Sequence, residues 1–386
     1  GMDHYSWYRR ERTAVGSLET SDFTKYTREY METNSQALLK FNKNLGAFNL
    51  NGLVGGNILR INSEQLDAST VGGLVVPGLY NVANSISPVD VTEALDEWGK
   101  NSLFGSLSIG YDDFVYLELT GRNDVSSTLP DDNNSYFYPS ISTSLIFSEL
   151  INADFLSFGK IRLNYAEVGN DAPVYSLSST YQQGTNWGDL PLYSVNATQQ
   201  NPDLKPENTK SYEAGLEMYF FERRVGFDLA FYQNNTFNQI MPVNVTDATG
   251  VQSKYVNGGE LQNTGIELNL TGTPVKSDNF SWRINLNWAQ NENEVVKLAK
   301  GVENYLLYSN WGISVNATEG SPYGTFRGTD YVYTNGKRTV NPIGSGLAGR
   351  FQQSEEKVIG HIQPDWNAGL SNTFTYKNLS LNVLLD

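Results

Sequence analysis

The run Gly344-Ser345-Gly346-Leu347-Ala348-Gly349 has the glycine spacing of a dinucleotide-binding turn, in which missing Cβ atoms let a pyrophosphate reach the backbone at a helix start. No strand pattern leads into it and no helical pattern follows, so a flexible loop is the better reading. Only two histidines occur, His4 and His361, far apart in segments that read as loops or strand ends. Surface positions suit them better than a general-base role. Cysteine is absent, which removes disulfides, thiolate zinc sites and a thiol nucleophile. No Gly-x-Ser-x-Gly elbow, His-Glu-x-x-His helix or phosphate loop is present. The pairs Asp131-Asp132 and Glu355-Glu356 offer oxygen ligands, but isolated pairs in polar stretches read as solvated charge. The sequence therefore offers no catalytic residue and implies neither metal nor cofactor.

Binding chemistry is better represented. Trp187, Tyr193, Tyr308, Trp311 and Tyr323 are set in stretches rich in Gly, Asn, Ser and Thr. An aromatic face beside amide and hydroxyl groups is what a sugar or a peptide needs for stacking and orientation. The competing reading is that these rings pack the loops against one another or against a partner.

The elements that would hold such loops follow from periodicity. Phe280, Trp282, Ile284, Leu286 and Trp288 take every second position against Ser281, Arg283, Asn285 and Asn287, and Ile266, Leu268 and Leu270 alternate with Glu267, Asn269 and Thr271. One face is apolar and the other is wet, as in a half-buried strand. About a dozen such strands are expected, near 35–42, 47–59, 102–111, 114–123, 136–147, 157–168, 211–221, 225–235, 261–272, 280–290, 366–376 and 379–385. Short turns alternate with long excursions at 60–101, 124–135, 169–210, 236–260 and 291–365. Within the first excursion Asp90, with Glu93 three residues on, has the spacing of a helix cap and offers a short helix over 91–98; an irregular loop is the alternative.

Strict alternation puts every short connection at one end of an up-and-down sheet and every long one at the other, the asymmetry of outer-membrane barrels. Aromatics near the strand ends, among them Tyr111, Tyr136, Tyr138, Phe158, Trp282, Trp366 and Tyr376, fit interfacial girdles. The expectation is an all-β, antiparallel, up-and-down transmembrane β-barrel, partial in extent, with residues 1–386 forming part of one barrel domain. A non-transporting surface or soluble β-protein that binds glycans is the alternative. A net charge of −15, from 42 acids against 27 Lys and Arg, argues against a nucleic-acid partner.

Several stretches carry a family resemblance: Gly121-Arg122-Asn123-Asp124, Tyr136-Phe137-Tyr138-Pro139-Ser140, the run from Lys160 through Gly169-Asn170-Asp171, Asn201-Pro202-Asp203-Leu204-Lys205-Pro206-Glu207 and Pro364-Asp365-Trp366. In this order the chain resembles the SusC/RagA family of TonB-dependent transporters, with Val125 where a Trp is expected. The resemblance implies residence in the outer membrane, contact with its lipid, and TonB-driven import of an oligosaccharide or peptide. It also implies a SusD-like surface lipoprotein over the long loops and a TonB-contacted plug that these residues do not include. The chain then reads as an interior stretch of the barrel.

Overall fold

The computed structural model describes residues 1–12, 20–151, 153–184 and 186–386. One antiparallel sheet of thirteen strands dominates it. The strands are β1 (Met2–Glu11), β2 (Asp22–Leu45), β3 (Phe48–Leu74), β4 (Ser85–Tyr111), β5 (Val115–Ser126), β6 (Ser135–Leu145) and β7 (Leu156–Asn170). They continue with β8 (Glu207–Phe220), β9 (Val225–Phe237), β10 (Glu260–Lys276), β11 (Phe280–Lys297), β12 (Asn367–Tyr376) and β13 (Leu379–Leu385). Each pairs with the next, so spatial order is sequence order. No α-helix occurs among the described residues.

The connections divide by rim as expected. At one rim the chain turns at 46–47, 112–114, 146–155, 221–224, 277–279 and 377–378. Asp112 and Asp113 both adopt positive φ (47° and 58°), as does Gly46 (63°), and such turns match the twist of the strands they join. The longest connections, 171–206, 238–259 and 298–366, all leave the opposite rim. They carry short strand pairs of their own, including a four-stranded ladder within the last.

Register fixes the two faces, because residues directly opposite in an antiparallel pair share a side. Phe48, Leu50, Val54 and Ile58 stand opposite Tyr111, Ile109, Gly105 and Asn101, and Leu107 stands opposite Leu119. This outer face continues through Leu163, Ala214, Phe231 and Ile266 to Leu286 and Leu370. The other face holds Asn34, Asn42, Asn51 and Asn57, joined by side-chain hydrogen bonds, and Lys160, Arg162, Glu213, Glu217, Asp228 and Glu267 of β7 to β10. A greasy outside around a polar inside is the pattern of a membrane barrel wall.

Along β3 the outer face is apolar or glycine from Phe48 to Ile58 and then meets Arg60, Asn62 and Glu64. At ~3.3 Å per residue and a ~40° tilt this run spans about 25 Å, the height of a hydrocarbon band. Outward aromatics lie in its lower part. Phe48 packs on Tyr111 with centroids 4.9 Å apart, and Trp282 stacks on Phe374 at 5.7 Å. Tyr165 against Tyr212, at 5.1 Å, lies near the upper edge.

Two expectations are corrected. Residues 60–101 are not a long loop: β3 and β4, 27 residues each, run on until only 75–84 connect them. At this length β3 rises roughly 70 Å, far above the apolar band. The helix over 91–98 is absent, because that segment is strand, with Val91 opposite Ala68 and Trp98 opposite Ile61. A two-turn helix pays for nucleation alone, whereas the neighbouring strand pairs the backbone at once, and Val89, Val91 and Thr92 are β-branched. Among the girdle candidates, Tyr136, Tyr138 and Phe158 fall on the inner face, because their register places them beside Arg122, Asp124 and Lys160.

Candidate functional site: the inner wall and the rim loops

The inner wall is built by alternation. Lys160, Arg162 and Asn164 of β7 face the same side as Glu217, Gly215 and Glu213 of β8, and Asp228 of β9 lies beyond them. Lys160 Nζ meets Glu217 at 2.8 Å. Arg162 crosses a whole strand: Nε donates to Glu213 at 3.2 Å and Nη1 to Asp228 at 2.7 Å. Gly215 makes that crossing possible, since a Cβ there would come within 2.4 Å of the Arg162 guanidinium. Gly215→Val is therefore expected to dislodge Arg162 and cost about 1 kcal/mol, a surface-scale value because these side chains are partly exposed. Urea unfolding of the refolded barrel measures it. In an Arg162→Ala background the same substitution should lose its effect.

Beside this clamp a concave pocket of ≈780 Å³ is lined by Arg162, Asp228, Glu267, Asn269, Asn287 and Trp366. Trp366, expected at a girdle, borders this inner pocket instead. Higher on the wall Tyr232 donates to Asn291, and Asn291 donates to Gln363 at 3.0 Å, extending a surface of amides and hydroxyls. Such a wall offers hydrogen-bond donors and acceptors in the form that a polar solute can meet.

Where the wall meets the long-connection rim, a second network closes. Lys100 Nζ lies 2.7 Å from Asp171 and 3.9 Å from Asp124. Arg122 donates to Asp124 at 2.8 Å and to Ser102 at 2.7 Å. The hydroxyl of Tyr138 donates to Asp124 and that of Tyr136 to Asp171. Asp124 is 2% exposed, so its charge is held by these partners rather than by water. Leu204, fully buried, packs here with Leu129, Tyr136 and Ala172. The resembling stretches 121–124, 136–140, 160–171 and 201–207 thus converge on one knot, while 364–366 lies apart from it beside the inner pocket.

From this knot the long connections are stitched together. Thr198–Gln199 pairs in parallel with Ser253–Lys254. The Asn257 side chain bonds both the amide and the carbonyl of Lys205 at 2.8 Å, and Glu207 accepts from the Ile240 amide at 2.8 Å. Val295, Leu298 and Ala317 form a second cluster against which Met241, Tyr305 and Tyr323 pack. Burial there pushes the Tyr305 phenol up. Farther out Lys357, 3.0 Å from Asp330, holds that carboxyl below its usual range, helped by the Tyr331 amide.

The five aromatics separate into three groups. Trp187 (77% exposed) and Tyr193 belong to one small hairpin, in which Trp187 bridges to Leu190 and Tyr193 pairs with Gln183. Tyr308 lies on the strand Asn304–Asn310 and Trp311 (98% exposed, φ 49°) at the tip of the same hairpin. Tyr323 packs into the cluster at the loop base. As site residues the sequence reading passed over Lys100, Asp124, Arg162 and Asp171, although the last three stand in stretches that carry the family resemblance. Their signal was charge at wet-face positions of strands in a chain only 18% charged.

The acidic pairs and the glycine run remain loop features, whereas His4 lies within β1 and His361 ends the strand Lys357–His361. Glu356 pairs with Arg327 at 3.4 Å, and Asp131 accepts from Asn134 at 3.5 Å. His4 lies 3.6 Å from Glu29 and His361 3.7 Å from Asp365. Residues 344–349 form successive turns between Asn341 and Arg350. No cluster of potential metal ligands occurs among the described residues.

The family model for the TonB dependent receptor-like β-barrel matches residues 2–384. The chain belongs to that family. TonB-dependent receptor P26 of Formosa agariphila is 28% identical over 376 residues, covering 90% of this chain and 38% of its own length. TonB-dependent receptor SusC of Bacteroides thetaiotaomicron is 25% identical over 306 residues, covering 74% of this chain and 30% of its own. The solved structure of the RagAB peptide transporter superposes with a TM-score of 0.76 at 22% identity, over 99% of this chain and 44% of that chain. The SusC/RagA resemblance is borne out, and the chain is an outer-membrane β-barrel segment. It spans about two fifths of the length of the P26 relative.

Proposed function

We propose that residues 1–386 are one stretch of a barrel domain that, in the whole protein, imports an oligosaccharide or a peptide across the outer membrane. TonB drives the step through a plug inside the barrel, and a SusD-like surface lipoprotein covers the long-connection rim. The observation that carries this reading is the difference between the rims: bare turns on one side, and on the other long connections stitched into one body over a polar wall. Trp187, Tyr193, Tyr308 and Trp311 are the residues proposed to meet ligand or lipoprotein, with Tyr323 supporting them from the loop base. The peptide class has the support of a structural neighbour that is a peptide transporter, and the oligosaccharide class rests on the resemblance to the SusC/RagA family.

Deleting the gene in its host should abolish TonB-dependent growth on one oligosaccharide or peptide source. Unchanged growth on every such source would remove the import reading. Orientation has its own test: protease added to intact cells should cut within 171–206 or 298–366 and spare 112–114 and 277–279. Cleavage confined to the short turns would invert the topology.

A further inference from the structure

The outer wall between β2 and β5 carries a feature that transport does not use. At the upper edge of the apolar band lies a trough of ≈690 Å³, bordered by Ala37, Gly56, Ile58, Leu103 and Val125. Directly above is a second hollow of ≈600 Å³ with polar walls, among them Thr33, Asn62, Glu97 and Asn134. Arg60 borders both. It is the first charge on the outer face of β3 after the apolar run, standing opposite Gly99. The guanidinium lies across that glycine, where a Cβ would come within 2.9 Å of Arg60 Cδ and Nη1. Nη1 donates to the Leu59 carbonyl at 2.6 Å and Nη2 to the Asn101 side chain at 3.0 Å. These bonds fix the group without neutralising it, and Arg60 forms no ion pair among the described residues.

We propose that this trough holds a single phosphate-bearing lipid of the outer leaflet, its acyl chain against Gly56, Ile58 and Leu103 and its phosphate on Arg60. The inference rests on the reading that this face meets lipid. Charge complementarity selects the occupant: a guanidinium at the boundary, with donors to spare, suits a phosphate oxygen pair. The small Ala37 and Gly56 below it leave a recess beside the protruding Ile58 and Leu103. Glu97, on the same face opposite Asn62, adds a negative charge above the cation. It favours a zwitterionic headgroup, phosphate below and amine above, over one of higher negative charge.

The test uses the whole protein extracted from its outer membrane, delipidated stepwise in detergent and weighed by native mass spectrometry. Wild type should keep one lipid after the others are stripped, and its mass distinguishes a glycerophospholipid from a lipid A. Arg60→Gln should lower that occupancy at least tenfold. Gly56→Phe should do the same by filling the recess; its new Cβ meets only the Ser102 carbonyl at 3.5 Å, an ordinary contact that the backbone accommodates. Lys43→Gln, near the lower rim, should keep the lipid. On add-back, phosphatidylethanolamine should rebind better than phosphatidylglycerol, and Glu97→Gln should erase that preference. A wild type that strips clean, or an Arg60→Gln protein that keeps its lipid, overturns the site while leaving the barrel reading intact. Recovery of the protein only in the soluble fraction would overturn both.

Discussion

Replacing Ile284 with arginine is expected to lower the folding free energy of the intact barrel by about 2–4 kcal/mol, whereas Asn285→Arg should change it by less than about 1 kcal/mol. Ile284 lies on the outer face, midway along the apolar stretch from Phe280 to Trp288, where a guanidinium has neither water nor a phosphate within reach. Asn285 is next in sequence but faces inward, between Thr271 and Ser371, where added charge stays hydrated. Leu268 separates depth from face. Directly opposite Trp288, near the upper edge of the band, it should tolerate arginine at a cost of only about 1 kcal/mol because the side chain can reach the headgroups. Reversible urea unfolding from lipid vesicles gives all three values. Equal losses at Ile284 and Asn285 would mean that the register is shifted by one residue, which exchanges the faces.

The second large effect is expected at the rim. Asp124→Ala should destabilise the barrel by about 1–3 kcal/mol, because it removes a carboxylate that water hardly reaches and takes that partner from Arg122 and Lys100, while the partial exposure of Arg122 and the remaining Lys100–Asp171 pair limit the loss. Asp124→Asn should cost less, since the amide oxygen still accepts from Tyr138 or Arg122. Loss of the knot should also show in the connections it anchors. Limited proteolysis within 127–134 and 171–206 should speed up in the alanine variant while the short turns stay resistant. A stable Asp124→Ala barrel with unchanged loop cleavage would reduce the network to an ornament of the rim.

How far the fold was legible depended on what each strand touches. Where one face meets lipid and the other the wet interior, alternation is enforced, and segments such as 280–290 and 261–272 fall inside β11 and β10. Above the bilayer both faces of β2, β3 and β4 meet polar surroundings, so nothing selects apolar residues at every second position. Glu64 to Ser69 and Val91 to Glu97 therefore carry no strand signature although their ladder is continuous. β1, from Met2–Glu11, escaped notice for the same reason: it pairs only with the upper part of β2. The aromatic candidates were found because Trp and Tyr stand out in polar loops. The charged knot was not, because pairing Lys100 with Asp171 depends on strands that alternation alone cannot bring side by side.

Strand order that follows sequence order also has a kinetic meaning. Each hairpin can close on the one before it, so most of the sheet assembles through short-range steps with small loop-closure entropy. The junction between β11 and β12 is the largest exception, since the chain travels through 298–366 before returning. That detour carries its own ladder, Asn304–Asn310 to Ile313–Thr318 to Thr325–Gly328 to Lys357–His361. Its base is tied to the end of β11 by hydrogen bonds from the Val295 amide to Ser321 and from Gly320 to Val295. Once the ladder forms, its exit at His361 stands a few residues from Asn367, and the distance β12 must search collapses from a long tether to a short one. The rim loop then acts as a splint that delivers the last strands to a waiting edge.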